Sequence, residues 1–441
     1  MIMKKMLWLL TVVFCLIFCV SDFLEAAEYT TYKNGITLLD GKIKFGGRFR
    51  YRQEFKYDYY ITDPQVKVDD DLSLFQSRLY VEYRPVTDLV FHLMFEDARD
   101  STEPHPYKPL VPYAYDTPVD VQQAYVSYEP ENQPFSVWAG RREVSYLKHR
   151  LIGTTIGWGN KVWTYDGFMA TLKHDKLSLD LAYLNWVKPQ PSRNTFEHAW
   201  FDSERDTFVA WFTAKEAFSG GNIDFYTIID NSDSGDDIYI YGIRGYGKVK
   251  GFNYDINGTL ELGDKIVGTD SLDRVAWAAY IDAWYAFDTE LKPTLGIEYF
   301  VASGDDDPYD NDFNTFDQLY GTPHYDYGYM DLFGWQNMHD LNVKASIVPF
   351  KDLKVSTSLH TFWLFANEDN WYNAYKNVQR AGNKDARRFV GNELDVIFFY
   401  NFLKYYTLIG TYGHFFTGDF VEDTGHSNDA DFFSMELRFE F

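Results

Sequence analysis

Phe433-Ser434-Met435-Glu436-Leu437-Arg438-Phe439-Glu440-Phe441 closes the chain. Phe433, Met435, Leu437, Phe439 and Phe441 alternate in it with Ser434, Glu436, Arg438 and Glu440. Successive side chains of a strand point to opposite faces, so this stretch reads as a β-strand with one apolar and one polar side. An apolar strand left at an edge invites aggregation unless it is paired into a closed barrel. The expectation is therefore a closing barrel strand.

The same alternation recurs upstream. Ile43, Phe45, Phe49, Tyr51 and Phe55 oppose Lys44, Arg48, Arg50, Arg52 and Glu54. Leu79, Val81 and Tyr83 oppose Arg78, Tyr80, Glu82 and Arg84, and Leu89, Phe91, Leu93 and Phe95 oppose His92 and Glu96. Phe252, Tyr254, Ile256, Leu260 and Leu262 stand against Asn253, Asp255, Asn257, Thr259 and Glu261. Later strands centre on 277–287, 295–301, 341–347, 355–365, 394–400 and 405–416. The count comes to about 18, with 16 also open, and an even number suits a single-chain bacterial barrel. Connections alternate in length: short ones at 85–88, 130–134, 288–292, 349–352 and 401–404, long ones at 97–120, 188–206, 304–336 and 366–388. Short periplasmic turns and longer external loops mark a transmembrane up-and-down antiparallel β-barrel, all-β in class, with its acidic loops facing outward. A secreted sandwich or propeller would alternate too, but without that rhythm.

Composition agrees. Aromatics make up 19%, with 35 Tyr and 37 Phe, as suits strands and aromatic girdles. Lys4 and Lys5 precede an apolar run from Met6 to Val20, the pattern of an export leader with cleavage near Ala26-Ala27. The expected division is a signal peptide over 1–27 and a barrel over 28–441. Cys15 and Cys19 both lie in the leader and each follows Phe, so neither a lipoprotein site nor a disulfide framework is expected. A formal charge of -24 argues against a nucleic-acid partner.

If lipid takes the apolar face, the polar face lines the lumen. Lys44, Arg48, Arg50 and Arg52 then project inward, with alternate positions about 6.5–7 Å apart. Arg78, Arg84, Arg244, Lys248 and Lys344 share that parity. Two readings stay open: an anion-selective ladder, or bracing of the wall through Glu54, Glu82, Glu96, Glu261 and Glu298. Enzyme motifs are absent: there is no H-E-x-x-H, P-loop or G-x-S-x-G. His92, Glu96 and Asp97 could form an acid/base cluster, although lumenal hydrogen bonding is the expected role. Asp305, Asp307 and Asp310 offer the hard oxygens that Ca²⁺ takes, without EF-hand spacing, and a solvated acidic loop is expected instead.

Several ordered segments resemble the alginate-export porin family. They include Gln122-Gln123-Ala124-Tyr125-Val126, Gly140-Arg141-Arg142-Glu143, Arg150-Leu151-Ile152-Gly153 and Tyr165-Asp166-Gly167. Further on come Ala302-Ser303-Gly304-Asp305, the run from Asn314 to Tyr320, the run from Tyr327 to Asn337, and Trp371-Tyr372-Asn373-Ala374. Gly391-Asn392-Glu393-Leu394-Asp395, Gly413-His414-Phe415-Phe416 and Asp429-Ala430-Asp431-Phe432-Phe433 complete the match. The resemblance implies an 18-stranded monomeric barrel that passes a uronic-acid polymer through an arginine-rich lumen. It carries Arg141 and Arg142 over as pore arginines and Asp166 and Glu393 as the acidic members beside them. Where the family often has an arginine before its Phe-Asp-Gly, Trp163, Thr164 and Tyr165 stand here.

The reading is a non-enzymatic outer-membrane channel for small anions or an alginate-like acidic polysaccharide. The pore-lining set is Arg48, Arg50, Arg52, Arg78, Arg141, Arg142, Asp166 and Glu393, with no cofactor unless Ca²⁺ binds the acidic loops. Expected partners are outer-membrane lipid and lipopolysaccharide, and the barrel-assembly machinery during insertion. The alternatives are a barrel enzyme acting on polysaccharide or lipid, and a general small-solute porin. Closure would also set Glu436 and Glu440 beside the arginines of the first strand.

Overall fold

In the computed structural model, the described residues are 35–441 apart from 59–68, 101–116, 156–157, 188–204 and 323. The expected leader lies outside them, as do most of the connections expected at 97–120 and 188–206. Eighteen strands form a closed antiparallel barrel. They are β1 Ile43–Tyr57, β2 Asp70–Val86, β3 Leu89–Asp100, β4 Thr117–Tyr128, β5 Phe135–Arg142 and β6 Tyr165–His174. Next come β7 Leu177–Trp186, β8 Arg205–Phe218, β9 Gly221–Ser232, β10 Ile238–Val249, β11 Phe252–Val267 and β12 Asp270–Ala286. The last are β13 Thr294–Ala302, β14 Met338–Phe350, β15 Leu353–Leu364, β16 Phe389–Phe402, β17 Tyr406–Thr417 and β18 Ala430–Glu440. Among the described residues no helix is long and apolar enough to cross a membrane. Any crossing is made by strands.

Each strand pairs with its neighbour in sequence, and β18 returns to β1. Arg48 faces Glu440, Arg50 faces Arg438, Arg52 faces Glu436 and Phe55 faces Phe433. Gly47 and Phe441 exchange both backbone hydrogen bonds at 3.1 Å, so the last residue itself takes part in the seam. A Cβ on Gly46 would lie 2.7 Å from the Phe441 carbonyl oxygen, which is why only glycine fits there. On the outer face Phe45, Phe49, Phe439 and Phe441 form one aromatic group, with Phe49 and Phe441 stacked at 6.4 Å.

Exposure runs opposite to that of a soluble protein. Phe91, Leu93, Phe95, Phe168, Ile243 and Ile297 are exposed, while Arg52, Glu54, Glu96, Glu261 and Asp395 are buried. A continuous apolar exterior of this kind is stable only against lipid. The turns at 87–88, 175–176, 219–220, 250–251 and 351–352 mark one end of the barrel. At the other end the connections are not uniformly long: 233–237 and 268–269 are tight, and β11 with β12 forms a tall hairpin. Asp230 and Asp70 lie within β9 and β2.

The apolar core sits inside the barrel. Two connections, 143–164 and 303–337, fold inward and bury Leu147, Leu151, Ile152, Phe316, Leu332 and Trp335 against the wall. Phe333 stacks on Phe362 of β15 with centroids 3.9 Å apart, and Trp335 Nε1 donates to the Val301 carbonyl at 3.2 Å. The expectation of a long external connection over 304–336 is corrected for its later part, whose aromatic residues are taken out of water by packing in the lumen, while residues 306–312 stay exposed as the acidic loop was expected to. The short helix α1, Asp419–Thr424, precedes the closing strand.

Candidate functional site in the lumen

β1 carries Arg48, Arg50 and Arg52 on one face because the strand alternates, and closure sets that face beside β18. Arg52 lies 2.7 Å from Glu54 and 3.4 Å from Glu436, and Arg50 lies 3.9 Å from Glu436. Arg438 also engages Glu436, and Arg48 reaches Glu440 at 3.9 Å and Gln76 at 2.7 Å. Arg50 further donates to the Gly159 carbonyl at 2.9 Å and to Asn160 at 3.0 Å. The Arg52 guanidinium lies 3.7 Å over the Trp158 ring and donates to the Trp158 carbonyl at 2.6 Å. Two of the three arginines therefore hold the inner segment 143–164 against the wall.

Trp158 passes the contact on. Its ring stacks on His324 at 3.8 Å, and its Nε1 donates to Asp331 at 3.0 Å. His324 Nδ1 lies 2.8 Å from the other oxygen of Asp331, which joins the two inner segments. Arg150 of the first pairs with Asp326 of the second at 2.6 Å and lies 4.5 Å over the ring of Tyr280. Burial pushes the Arg150 pKa down, but Asp326 outweighs it and holds the guanidinium above its ordinary value. Arg150 and Asp331 fall in segments that carry the resemblance but receive no role there, and Trp158, His324 and Asp326 are not singled out by the sequence. The available signal was an apolar content, at Phe316, Leu319, Leu332 and Phe333, too high for a solvated loop.

The remaining sequence-selected residues separate. Arg78 pairs with Glu143 and lies 3.4 Å from Glu96. Arg141 makes a two-pronged bond to Asp166 at 2.7 and 2.9 Å. Both are buried, and Arg141 also donates to the Val121 carbonyl at 3.3 Å. Arg142 falls on the lumenal face, 4.6 Å over Tyr125 and 5.5 Å over Trp138. Among the described residues it makes no ion pair. Glu393 sits with neither arginine: it accepts the Met330 N–H at 2.9 Å, and Asp395 accepts that of Tyr329 at 3.3 Å.

His92 lies between Tyr80 and Tyr125, at 5.6 and 4.9 Å, while Glu96 faces Arg78 and Lys161. Asp97 points the other way and binds Arg99, so the three do not assemble into one acid/base group. Asp305, Asp307 and Asp310 accept N–H groups of Asp307, Tyr309 and Asp312, each turning its own loop. Among the described residues no three His, Cys, Asp or Glu side chains converge as metal ligands.

A closed barrel with an apolar exterior, a polar lumen and inward-folded segments defines an outer-membrane channel. The sequence matches the Alginate export family over residues 42–434, and the chain belongs to that family. No curated protein sequence matches it. Its fold is similar to that of OccAB1 of Acinetobacter baumannii, with a TM-score of 0.60 at 11% identity over 94% of this chain and 99% of that one. OccD3 (OpdP) of Pseudomonas aeruginosa gives 0.59 at 13% identity, covering 93% of each chain. OccK11 (OpdR) of the same organism gives 0.57 at 12% identity over 93% of this chain and 98% of that one.

Proposed function

We propose that the channel conducts anions, and an acidic polysaccharide of the alginate kind in particular, without catalysing a reaction. The observation that carries this reading is Arg142. Its guanidinium is held on the face of Tyr125 in the lumen and has no carboxylate partner among the described residues. A guanidinium resting on an aromatic face keeps its charge and its outward N–H groups. A passing carboxylate therefore exchanges water for a fixed cation. The neighbouring arginines are matched by Glu54, Glu96, Glu143 and Glu436, so the wall attracts anions without trapping them. A leader over 1–27 and a Gram-negative host belong to the same proposal.

The purified protein in a planar bilayer under a KCl gradient is expected to show a reversal potential of anion preference. A short oligo-uronate is expected to block the current. Arg142→Ser should weaken that block about fivefold, the equivalent of about 1 kcal/mol for one partly hydrated charge contact. A cation preference in the unmodified protein overturns the proposal.

A further inference from the structure

A cavity of about 440 Å³ opens in the lumenal wall between β9 and β12, bordered by Lys148, Arg244, Lys248, Asn253 and Trp284. That volume lies within the range of about 300–1,000 Å³ usual for small-ligand sites. Lys248 and Asn253 flank the turn at 250–251, and Gly220 and Gly221 at the cavity rim belong to the turn at 219–220 and the start of β9. The cavity is thus at the turn end of the barrel, which is the periplasmic end in barrels of this kind.

Its roof is delivered by strained backbone. Leu147, Lys148 and His149 have φ of 53°, 53° and 69°, three consecutive non-glycine residues in the left-handed region. Such strain persists only where the surroundings enforce it. The turn sends Lys148 across the lumen, where its Nζ lies 2.5 Å from Asp255 and 5.6 Å from the Trp284 ring centroid. Asp255 is already matched, because both of its oxygens accept from Arg244 at 2.8 and 2.7 Å. Asp224, 3.6 Å from Arg244, is the other carboxylate on that guanidinium. Glu216 at the rim is taken by Lys176. Lys148 also acts on Asp282 and Asp326, so Lys248 is the cation at the cavity that makes no ion pair among the described residues.

We propose that this cavity is a capture subsite for one carboxylate-bearing sugar unit, held by Lys148 and Lys248 before it reaches the constriction made by the inner segments. Lys248 and Lys148 take the carboxylate. The one amide hydrogen of Asn253 not given to the Gly251 carbonyl serves a hydroxyl, and the Tyr246 and Trp284 rings supply flat walls. The subsite rests on the reading that the lumen conducts an acidic polysaccharide, and it adds the place where that solute first lodges.

Calorimetric titration of the purified full-length barrel in detergent with a short oligo-uronate reads the site directly. A neutral oligosaccharide of the same length serves as control. Binding is expected for the first and not for the second. Lys248→Gln and Lys148→Gln should each weaken it about tenfold, the scale of one charged hydrogen bond, while Lys248→Arg retains it. Lys248 is an exposed strand residue, so its variants test the site even if the Lys148 variant fails to fold. Lys248→Gln binding as tightly as the unmodified protein, or equal binding of the neutral sugar, overturns the subsite. An anion-selective reversal potential with no oligo-uronate binding overturns the subsite alone. A cation preference overturns the conduction reading on which it rests.

Discussion

Asp317 sits where the inner segment 303–337 meets both the wall and the neighbouring loop. Its carboxylate accepts from Lys376 Nζ and from the Leu319 N–H, each at 2.8 Å, and its own N–H donates to Glu261 at 3.1 Å. Burial pushes its pKa up, but Lys376 and Arg274 outweigh burial and hold it at about 2, below the ordinary 3.8. A folded-state value below the unfolded one contributes stability that is full above about pH 4 and lost as the pH falls through about 2. Lys376 is 37% exposed, so solvent screens the pair. Asp317→Asn is therefore expected to destabilise the barrel at neutral pH by about 1 kcal/mol. Urea midpoints of the two proteins should differ at pH 6 and converge toward pH 2. A difference that stays constant across that range would refute the assignment.

At the scale of the element, segment 303–337 is held in the lumen by a carboxylate clamp and an aromatic stack. Glu393 and Asp395 of β16 take the N–H groups of Met330 and Tyr329, and Phe333 lies flat on Phe362. Gly328 makes the approach possible: its φ is 90°, and a Cβ there would come within 2.4 Å of Glu393 Oε1. An alanine at that site meets both a disfavoured backbone region and a carboxylate fixed by its own hydrogen bond. Gly328→Ala should loosen the clamp by about 1–3 kcal/mol. The segment would then withdraw from the lumen for part of the time. Single-channel recording should show a larger and noisier conductance, and limited proteolysis should cut faster within 303–337. Unchanged conductance would mean that the aromatic packing alone positions the segment.

For the whole molecule, closure is the event that makes the lumen, and its register was legible because alternation is a local signal. Residues 433–441 and 43–55 each declare their two faces without reference to the rest of the chain, so Glu436 could be placed beside the β1 arginines from the sequence. The inner segments were not legible, because the contacts of Trp158 with Arg52 or of Met330 with Glu393 join residues far apart in sequence that no periodicity links. Only the apolar content of 303–337 hinted at burial. Closure also ranks the seam carboxylates. The Glu436 side chain is 3% exposed and serves Arg50, Arg52 and Arg438, whereas that of Glu440 is 47% exposed and meets Arg48 at 3.9 Å. Removing the buried carboxylate strands several guanidiniums, a loss of about 3–5 kcal/mol, while an exposed pair contributes about 0–1 kcal/mol. Glu436→Gln should therefore sharply reduce the yield of heat-modifiable, folded barrel in lipid vesicles, and Glu440→Gln should leave it near that of the unmodified protein. The fraction of Glu436→Gln that does fold should keep its anion preference, because Arg142 lies away from the seam on β5. Equal yields for the two variants would show that backbone pairing alone closes the barrel, and a lost anion preference would mean that the seam arginines, not Arg142, set selectivity.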